Sequence, residues 1–378
     1  MASRDHLTGK VIHIGIGAPL TGSAARLGAE MKQAIELAID EKNATGGIAG
    51  ARITAVVRDD ASDSGKGEEA ARAFCADPAV LGIVGHYNSN VSLATAPIYE
   101  ASQLVTITPI ASNPALTEQG YQTFFRFTNR DDRPAAAIAG HLHRVLGKRR
   151  AVVAATPTTY GGSMADTFVR AFQAVGGEVL RKVPAEEGRR DFSDLARALP
   201  ENFDVLFYGG SFEGAHILKA LRRAGFDQLF AAGDGCWDRW NFLDLLGEEA
   251  MAGEGVLVLS ATPEPGRVPG SAAFAERYAK KHGPIGNYAV NSYDSARALL
   301  AAIDLAVSVG DGLPDRSQIL SAMRGVRFAG IAYLQSLEWD RKGDNVAAVT
   351  ALHVIERRHF KQVAESGSAA AEERAVTV

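Results

Sequence analysis

Cysteine is nearly absent from this chain. Its 378 residues hold two, Cys75 and Cys236, far apart in sequence. Two such thiols build no disulfide framework and neither has metal-type spacing, so both read as buried or idle and no metal is expected. Long apolar runs are missing too: none reaches the roughly eighteen residues that a membrane span needs, so the chain does not read as membrane-spanning. Charge of one sign is not concentrated anywhere. The formal net charge is −4 and no basic block stands out, which argues against nucleic acid as a partner. The dinucleotide fingerprint is incomplete: Gly15-Ile16-Gly17 follows a strand-like run, but the third glycine is misplaced and no acidic residue stands clearly at the right distance. No cofactor is expected. Met1 to Lys10 is polar and short, with no apolar leader core. Taken literally that start is cytoplasmic; it equally suits a chain whose signal peptide was removed and to which a Met was added.

Catalytic constellations are also lacking. Gly209-Gly210-Ser211-Phe212-Glu213-Gly214 is one residue off a nucleophile elbow. His141 and His143 stand two apart in a helical segment, so they face different ways and make a poor metal pair. The chain does not read as an enzyme.

What is present is an ordinary hydrophobic share, 46%, and a length that suggests two domains or three. The chain is organised around Gly85-His86-Tyr87-Asn88-Ser89-Asn90 and its sequel Thr106-Ile107-Thr108-Pro109-Ile110-Ala111-Ser112. Each follows a short β-branched run, and a helical segment, Val91 to Ser102, lies between. This is one βαβ unit with two hydroxyl-bearing loops at the carboxyl edge of a parallel sheet, where open α/β sheets bind ligands. Ser89 would open the next helix, whose unpaired N–H groups attract a carboxylate; alternatively Ser89 and Asn90 merely cap that helix.

Before this unit, strands are expected at Val11–Ile16 and Ile53–Val57 and helices at Ala24–Asn43 and Gly65–Cys75. Arg58-Asp59-Asp60 ends the second strand; paired acids there are catalytic, metal-binding or, more often, a turn and a cap. The alternation restarts near Asp131: helix Pro134–Val145, strand Arg150–Ala154, helix Tyr160–Val175, strand Val179–Val183, helix Phe192–Leu199, strand Val205–Tyr208, helix Glu213–Ala224, strand Leu229–Ala232, helix Asp238–Leu246 and strand Val256–Leu259. A second parallel sheet follows from that pattern. After a Pro/Gly-rich break, helices are expected at Ser271–Lys281 and Val290–Val307. Strand-like alternation then runs from Ala332 to Trp339 and from Ala347 to Ile355, about a polar turn at Asp340–Asp344. The Ala/Ser/Glu-rich end reads as disordered.

The order of these motifs resembles the type I periplasmic solute-binding proteins of ABC importers, closest to the branched-chain amino acid (Leu/Ile/Val)-binding group. The matching pieces are Ile14 to Gly22 with its PLTG turn, Asn43 to Gly50, Arg58-Asp59-Asp60, Val84 to Ser89, Thr108 to Thr117, Tyr160-Gly161, Tyr208-Gly209-Gly210, Tyr293 to Ala296 and Leu337 to Gly343. The resemblance covers roughly residues 11 to 358. It implies an α/β fold of two Rossmann-like lobes with parallel sheets, joined by a three-segment hinge and closing on a ligand in the interlobe cleft. The implied boundaries are 11–128 plus 261–334 for lobe 1, 129–260 plus 335–362 for lobe 2, and 363–378 as a disordered tail.

Carried over residue by residue, the resemblance puts the carboxylate-binding serine at Ser89, with further contacts from Ile110 and Ser112. Tyr160 would cover the ligand, Ser211 takes an often aromatic position, and Asp234 falls on the ammonium-binding acid. Tyr288 bounds the side-chain pocket; Tyr87 and Trp237 lie close enough to line it. Asp294 reads as a salt-bridge partner or as a second ammonium contact. Departures are Leu27, where the group often has tyrosine, and Ser62 and Asn88, where it has a disulfide. The expected function is extracytoplasmic capture of an amino acid or similar small carboxylate for an ABC transporter permease, in the periplasm. The alternative is a non-transport sensor of the same fold that takes an amide or aromatic acid and controls a regulator.

Overall fold

The computed structural model describes residues 5–264 and 266–366. The chain begins with β1 (Val11–Ala18), α1 (Ala25–Ala44), β2 (Arg52–Asp59), α2 (Ser64–Ala76), β3 (Val80–Gly85), α3 (Ser89–Ala101), β4 (Thr106–Thr108), α4 (Ala115–Glu118) and β5 (Phe124–Arg126). It continues with α5 (Asp132–Gly140), β6 (Arg150–Ala155), α6 (Thr159–Ala174), β7 (Glu178–Pro184), α7 (Ser193–Arg197), β8 (Val205–Gly209), α8 (Glu213–Arg223), β9 (Leu229–Ala232), α9 (Asp244–Leu246) and β10 (Leu257–Ser260). Three helices follow, α10 (Ser271–His282), α11 (Ala289–Ser308) and α12 (Arg316–Met323), then β11 (Thr350–Glu356) and β12 (His359–Ser366).

These elements divide into two compact units. The first takes Met1–Thr128 and Pro265–Ala348, the second Asn129–Glu264 and Val349–Val378. The chain therefore passes from one unit to the other three times.

The first unit holds a five-stranded sheet of order β2-β1-β3-β4-β5, parallel throughout. Every residue of β3 is buried, as expected of a central strand covered on both faces. Space there is tight: a Cβ on Gly82 would sit 2.5 Å from the Leu299 side chain of α11. Helix α2 starts where the Asp63 carboxylate accepts the Lys66 N–H.

The second unit has a seven-stranded sheet of order β12-β11-β10-β9-β8-β6-β7. Strands β6 to β10 are parallel, and β11 and β12 extend the edge antiparallel. In β8 the side chains alternate between two cores, Leu206 and Tyr208 on one face, Val205 and Phe207 on the other. The parallel part, β7-β6-β8-β9-β10, repeats the wiring of the first sheet, so both units are doubly wound with a strand-order reversal beside their first strand.

Several expectations are corrected. Residues 335–348, expected in lobe 2, belong to the first unit, and residues 261–264, expected in lobe 1, to the second. The Trp339 ring packs on Phe125 at 5.2 Å, and the Arg126 backbone bonds to Gly343 and Asn345. The alternation in 332–339 makes only isolated bridges, Phe328 with Leu337 and Trp339 with Asn345. Residues 363–366, expected in the tail, continue β12; positions 367–378 lie outside the described residues. Helix α12 was not anticipated. The helix expected over Pro134–Val145 ends as α-helix at Gly140 and finishes in a π-helical turn, His141–Val145.

Candidate ligand-binding site

In the first unit the expected residues gather at the carboxyl ends of β3 and β4. Asn88 takes the N-cap position of α3 with extended backbone and no side-chain cap, so neither Ser89 nor Asn90 caps this helix. Ser89 is the first helical residue, and its Oγ accepts the Asn113 N–H at 3.4 Å, linking the two loops. The Asn90 amide turns away to the Ser62 carbonyl and Ser64 hydroxyl. Thr108 shapes the second loop: its Oγ donates to the His86 carbonyl at 2.8 Å and accepts the Ala111 N–H at 2.9 Å. Ile110 and Ser112 are buried beside it.

Behind these loops stands Arg126, fully buried. Its guanidinium donates to the carbonyls of Ser112 (3.0 Å) and Asn113 (2.6 Å), to Thr117, and to Asp344 Oδ1 at 2.8 Å. The planar fork of donors fits this set of carbonyls and carboxylate. Tyr288 is the N-cap of α11. The buried Glu30 accepts its N–H (3.0 Å) and that of Ala289 (2.9 Å), placing a carboxylate on the helix N-terminus. The Tyr288 ring meets Tyr87 edge-on, with centroids 5.7 Å apart. This edge presents hydroxyls, a helix N-terminus and two aromatic rings, a chemistry suited to an anion with an apolar or aromatic body.

In the second unit the residues gather at the ends of β6, β8 and β9. Thr158 caps α6 by accepting the Gly161 N–H, which sets Tyr160 in the first turn. The Tyr160 hydroxyl donates to Asp234 Oδ1 at 2.6 Å and accepts the Gly235 N–H at 3.0 Å. Burial, then the charges of Asp234 and Asp131, push the Tyr160 pKa well above the phenolic range, so it keeps its proton as a donor. The flanking glycines are required by space: a Cβ on Gly233 would lie 2.7 Å from the Tyr160 hydroxyl, and one on Gly235 2.4 Å from the Gly210 carbonyl. Asp234 is half-buried.

Ser211 is half-buried and its hydroxyl leans on Glu213 at 3.4 Å. The fully buried Glu213 also accepts the Tyr208 hydroxyl (3.1 Å) and the Gly188 N–H (2.9 Å). Trp237, expected to line the pocket, is buried in the core and stacks on His353 at 5.4 Å. Asp294 is also committed inside its own unit: it accepts the N–H groups of Ile331 (2.6 Å) and Ala332 (2.9 Å) and pairs with Arg297 at 2.7 Å. The structure thus brings together Tyr87, Ser89, Ile110, Ser112 and Tyr288 in one unit, and Tyr160, Asp234 and Ser211 in the other. The paired acids Asp59 and Asp60 organise loops: Asp59 accepts the Leu20 and Ala61 N–H groups, and Asp60 accepts that of Ser62.

Sequence reasoning missed Glu30, Arg126 and Glu213. A lone arginine inside Phe124-Phe125-Arg126-Phe127 is a signal that a charge enters a core with its partners. Glu30 carries no comparable signal, since the N–H groups it accepts, those of Tyr288 and Ala289, lie 258 and 259 residues away.

Two doubly wound α/β units, each with polar loops at the carboxyl edge of its sheet, form the architecture of a ligand-binding protein. A model of the periplasmic binding protein family matches residues 11–356, and the chain belongs to that family. Among curated proteins it is similar to the Leu/Ile/Val-binding protein homolog 2 of Brucella abortus, 29% identical over 335 residues, covering 88% of this chain and 87% of that one. Among solved structures it resembles the leucine-binding protein LivK of Thermotoga maritima, 28% identical with a TM-score of 0.85 over 95% of this chain and 99% of that one. A Desulfitobacterium hafniense ABC transporter substrate-binding protein in complex with Leu is 26% identical, with a TM-score of 0.77 over 94% and 100% of the two chains.

Proposed function

We propose that this receptor captures an α-amino acid, or a small carboxylate like it, outside the cytoplasm and delivers it to the permease of an ABC importer. The observation that carries this is the pairing of chemistries. The Ser89, Ile110 and Ser112 loops with the α3 N-terminus suit a carboxylate. Asp234, oriented by Tyr160, suits an ammonium. Tyr87 and Tyr288 would bound the side chain. The protein does no chemistry on its ligand; its output is the liganded state. Relatives named for leucine, isoleucine and valine support an aliphatic amino acid. Membership of the periplasmic binding protein family supports a location outside the cytoplasm.

The Tyr87–Tyr288 pair favours a second reading, in which the ligand is an aromatic acid or amide and the protein is a sensor controlling a regulator. A thermal-shift screen separates the two. A ligand at about a hundred times its dissociation constant stabilises the protein by about 2.7 kcal/mol. A shift with leucine, isoleucine or valine that is lost in Asp234→Ala supports the amino acid reading. A shift with benzoate or simple amides alone, indifferent to Asp234→Ala, replaces it with the second. No shift with any of them, after unfolding and refolding to strip bound ligand, removes both.

A further inference from the structure

Just before the first ligand loop stands a histidine enclosed on every side. His86 follows β3 and is fully buried, as are Asp60 after β2 and Tyr99 on α3. Its Nδ1 lies 2.7 Å from Asp60 Oδ2 and its Nε2 2.9 Å from the Tyr99 hydroxyl. The ring lies over β1 so closely that a Cβ on Gly17 would be 2.4 Å from its Cε1. The main chain of His86 is equally engaged. Its carbonyl accepts the Thr108 hydroxyl at 2.8 Å, and the same Thr108 oxygen accepts the Ala111 N–H beside Ile110 and Ser112. One residue therefore touches the ends of β1 and β2, helix α3, and the loop after β4.

The partners favour one arrangement of the protons. Burial pushes the Tyr99 pKa well above its ordinary value, with the charges of Cys75 and Asp60 adding to it, so Tyr99 stays a hydroxyl. Asp60 uses Oδ1 for the Ser62 N–H and leaves Oδ2 to the imidazole. With the single Tyr99 proton directed at Nε2, that nitrogen is an acceptor. Nδ1 then carries the ring proton and donates it to Asp60.

We propose that His86 is a positioning residue for the ligand loops: an imidazole locked between Asp60 and Tyr99, donating through Nδ1 and accepting at Nε2, which sets the Thr108–Ser112 loop through its own carbonyl. It does not touch the ligand. The inference rests on the proposed function only for its effect on affinity. Its geometry and its test concern the ligand-free protein.

The test has two parts, neither of which involves a ligand. First, nitrogen-15 NMR of histidine-labelled protein reads which ring nitrogen carries the proton. The wild type should show it on Nδ1. In Asp60→Asn the new amide can still accept the Ser62 N–H but presents its NH2 to Nδ1, so the proton should move to Nε2. Second, Tyr99→Phe keeps the ring packing and removes only the donor to Nε2. Amide hydrogen exchange should then rise roughly tenfold across residues 108–113, the scale of one lost hydrogen bond, while β1 and β2 stay unchanged. A wild-type proton on Nε2 or on both nitrogens overturns the proposal. So does an exchange profile in Tyr99→Phe that is unchanged, or that rises evenly over the whole unit. Should Asp60→Asn fail to fold, the wild-type spectrum and Tyr99→Phe still decide.

Discussion

In the first unit the loops at the carboxyl edge are held from behind by a buried cation. Arg126 gathers the carbonyls of Ser112 and Asn113 and the carboxylate of Asp344. In the second unit the same job falls to a buried acid. Glu213 gathers the Gly188 N–H and the hydroxyls of Tyr208 and Ser211. The strand wiring is shared, so the difference lies in the side chains grafted on it. A cation that occupies carbonyls leaves hydroxyls and N–H groups facing outward, which suits an anion. In the second unit Glu213 takes up donors, and the half-buried Asp234 is the acid that suits a cation. Two copies of one architecture thus carry different polar chemistry at the carboxyl edges of their sheets.

The largest effect should come from breaking the first of these supports. Arg126→Met leaves the Asp344 carboxylate buried without the guanidinium that faces it and should cost about 3–5 kcal/mol of stability. Glu213→Gln keeps an acceptor for Gly188 and should cost about 1–2 kcal/mol. Thermal melts of both variants compare them. Equal losses would show that the two buried charges play matched structural parts, and the contrast between the units would then lie only in their outer residues.

Next in size is Asp234→Asn, which keeps the Tyr160 contact but removes the charge. Affinity for an amino acid should fall roughly 10- to 100-fold, while affinity for a carboxylate lacking the ammonium should hold or rise. Isothermal titration with leucine and with its deaminated analogue measures both. A parallel fall for the two ligands would remove Asp234 as the ammonium partner. Ser89→Ala is smaller: roughly a three- to tenfold loss, equal for the two ligands, because the carboxylate is common to both. A loss for leucine alone would reverse the assigned polarity of the units.

How much of this was legible beforehand differs between the units for a physical reason. The loops after β3 and β4 lie close in sequence, and their strand–helix periodicity exposes them directly. Tyr160 and Asp234 stand 74 residues apart. Only the order of motifs over the whole chain, not any local pattern, joined them. Residues 335–348 were misassigned because Leu337, Trp339 and their neighbours alternate like a strand, whereas their packing on Phe125 and their bonds to Arg126 are tertiary facts. Helix α12 is short and weakly periodic, and its clearest local signal is the reciprocal capping box of Asp315 and Gln318. Nearness to Asp234 in sequence suggests that Trp237 lines the same pocket. The 3-10 turn at Asp234–Cys236 separates them, so that the indole enters the core while Asp234 stays half-buried.

The smallest expected effect concerns a buried acid of the first unit that lies outside the proposed site. Burial raises the Asp294 pKa, against the opposing pull of Arg297 and the N–H groups of Ile331 and Ala332. An acid whose folded pKa exceeds its unfolded value binds more protons when folded. Its contribution to stability is therefore fully present below about pH 4, the unfolded aspartate range, and is lost as pH rises through the raised folded value. Asp294→Asn removes that titration along with the Arg297 ion pair. The melting-temperature gap between wild type and variant should therefore narrow as pH climbs from about 4 toward neutrality. If the gap widened instead, the Arg297 pairing would outweigh burial, and the first unit would depend on Asp294 as a charge in the way it depends on Asp344.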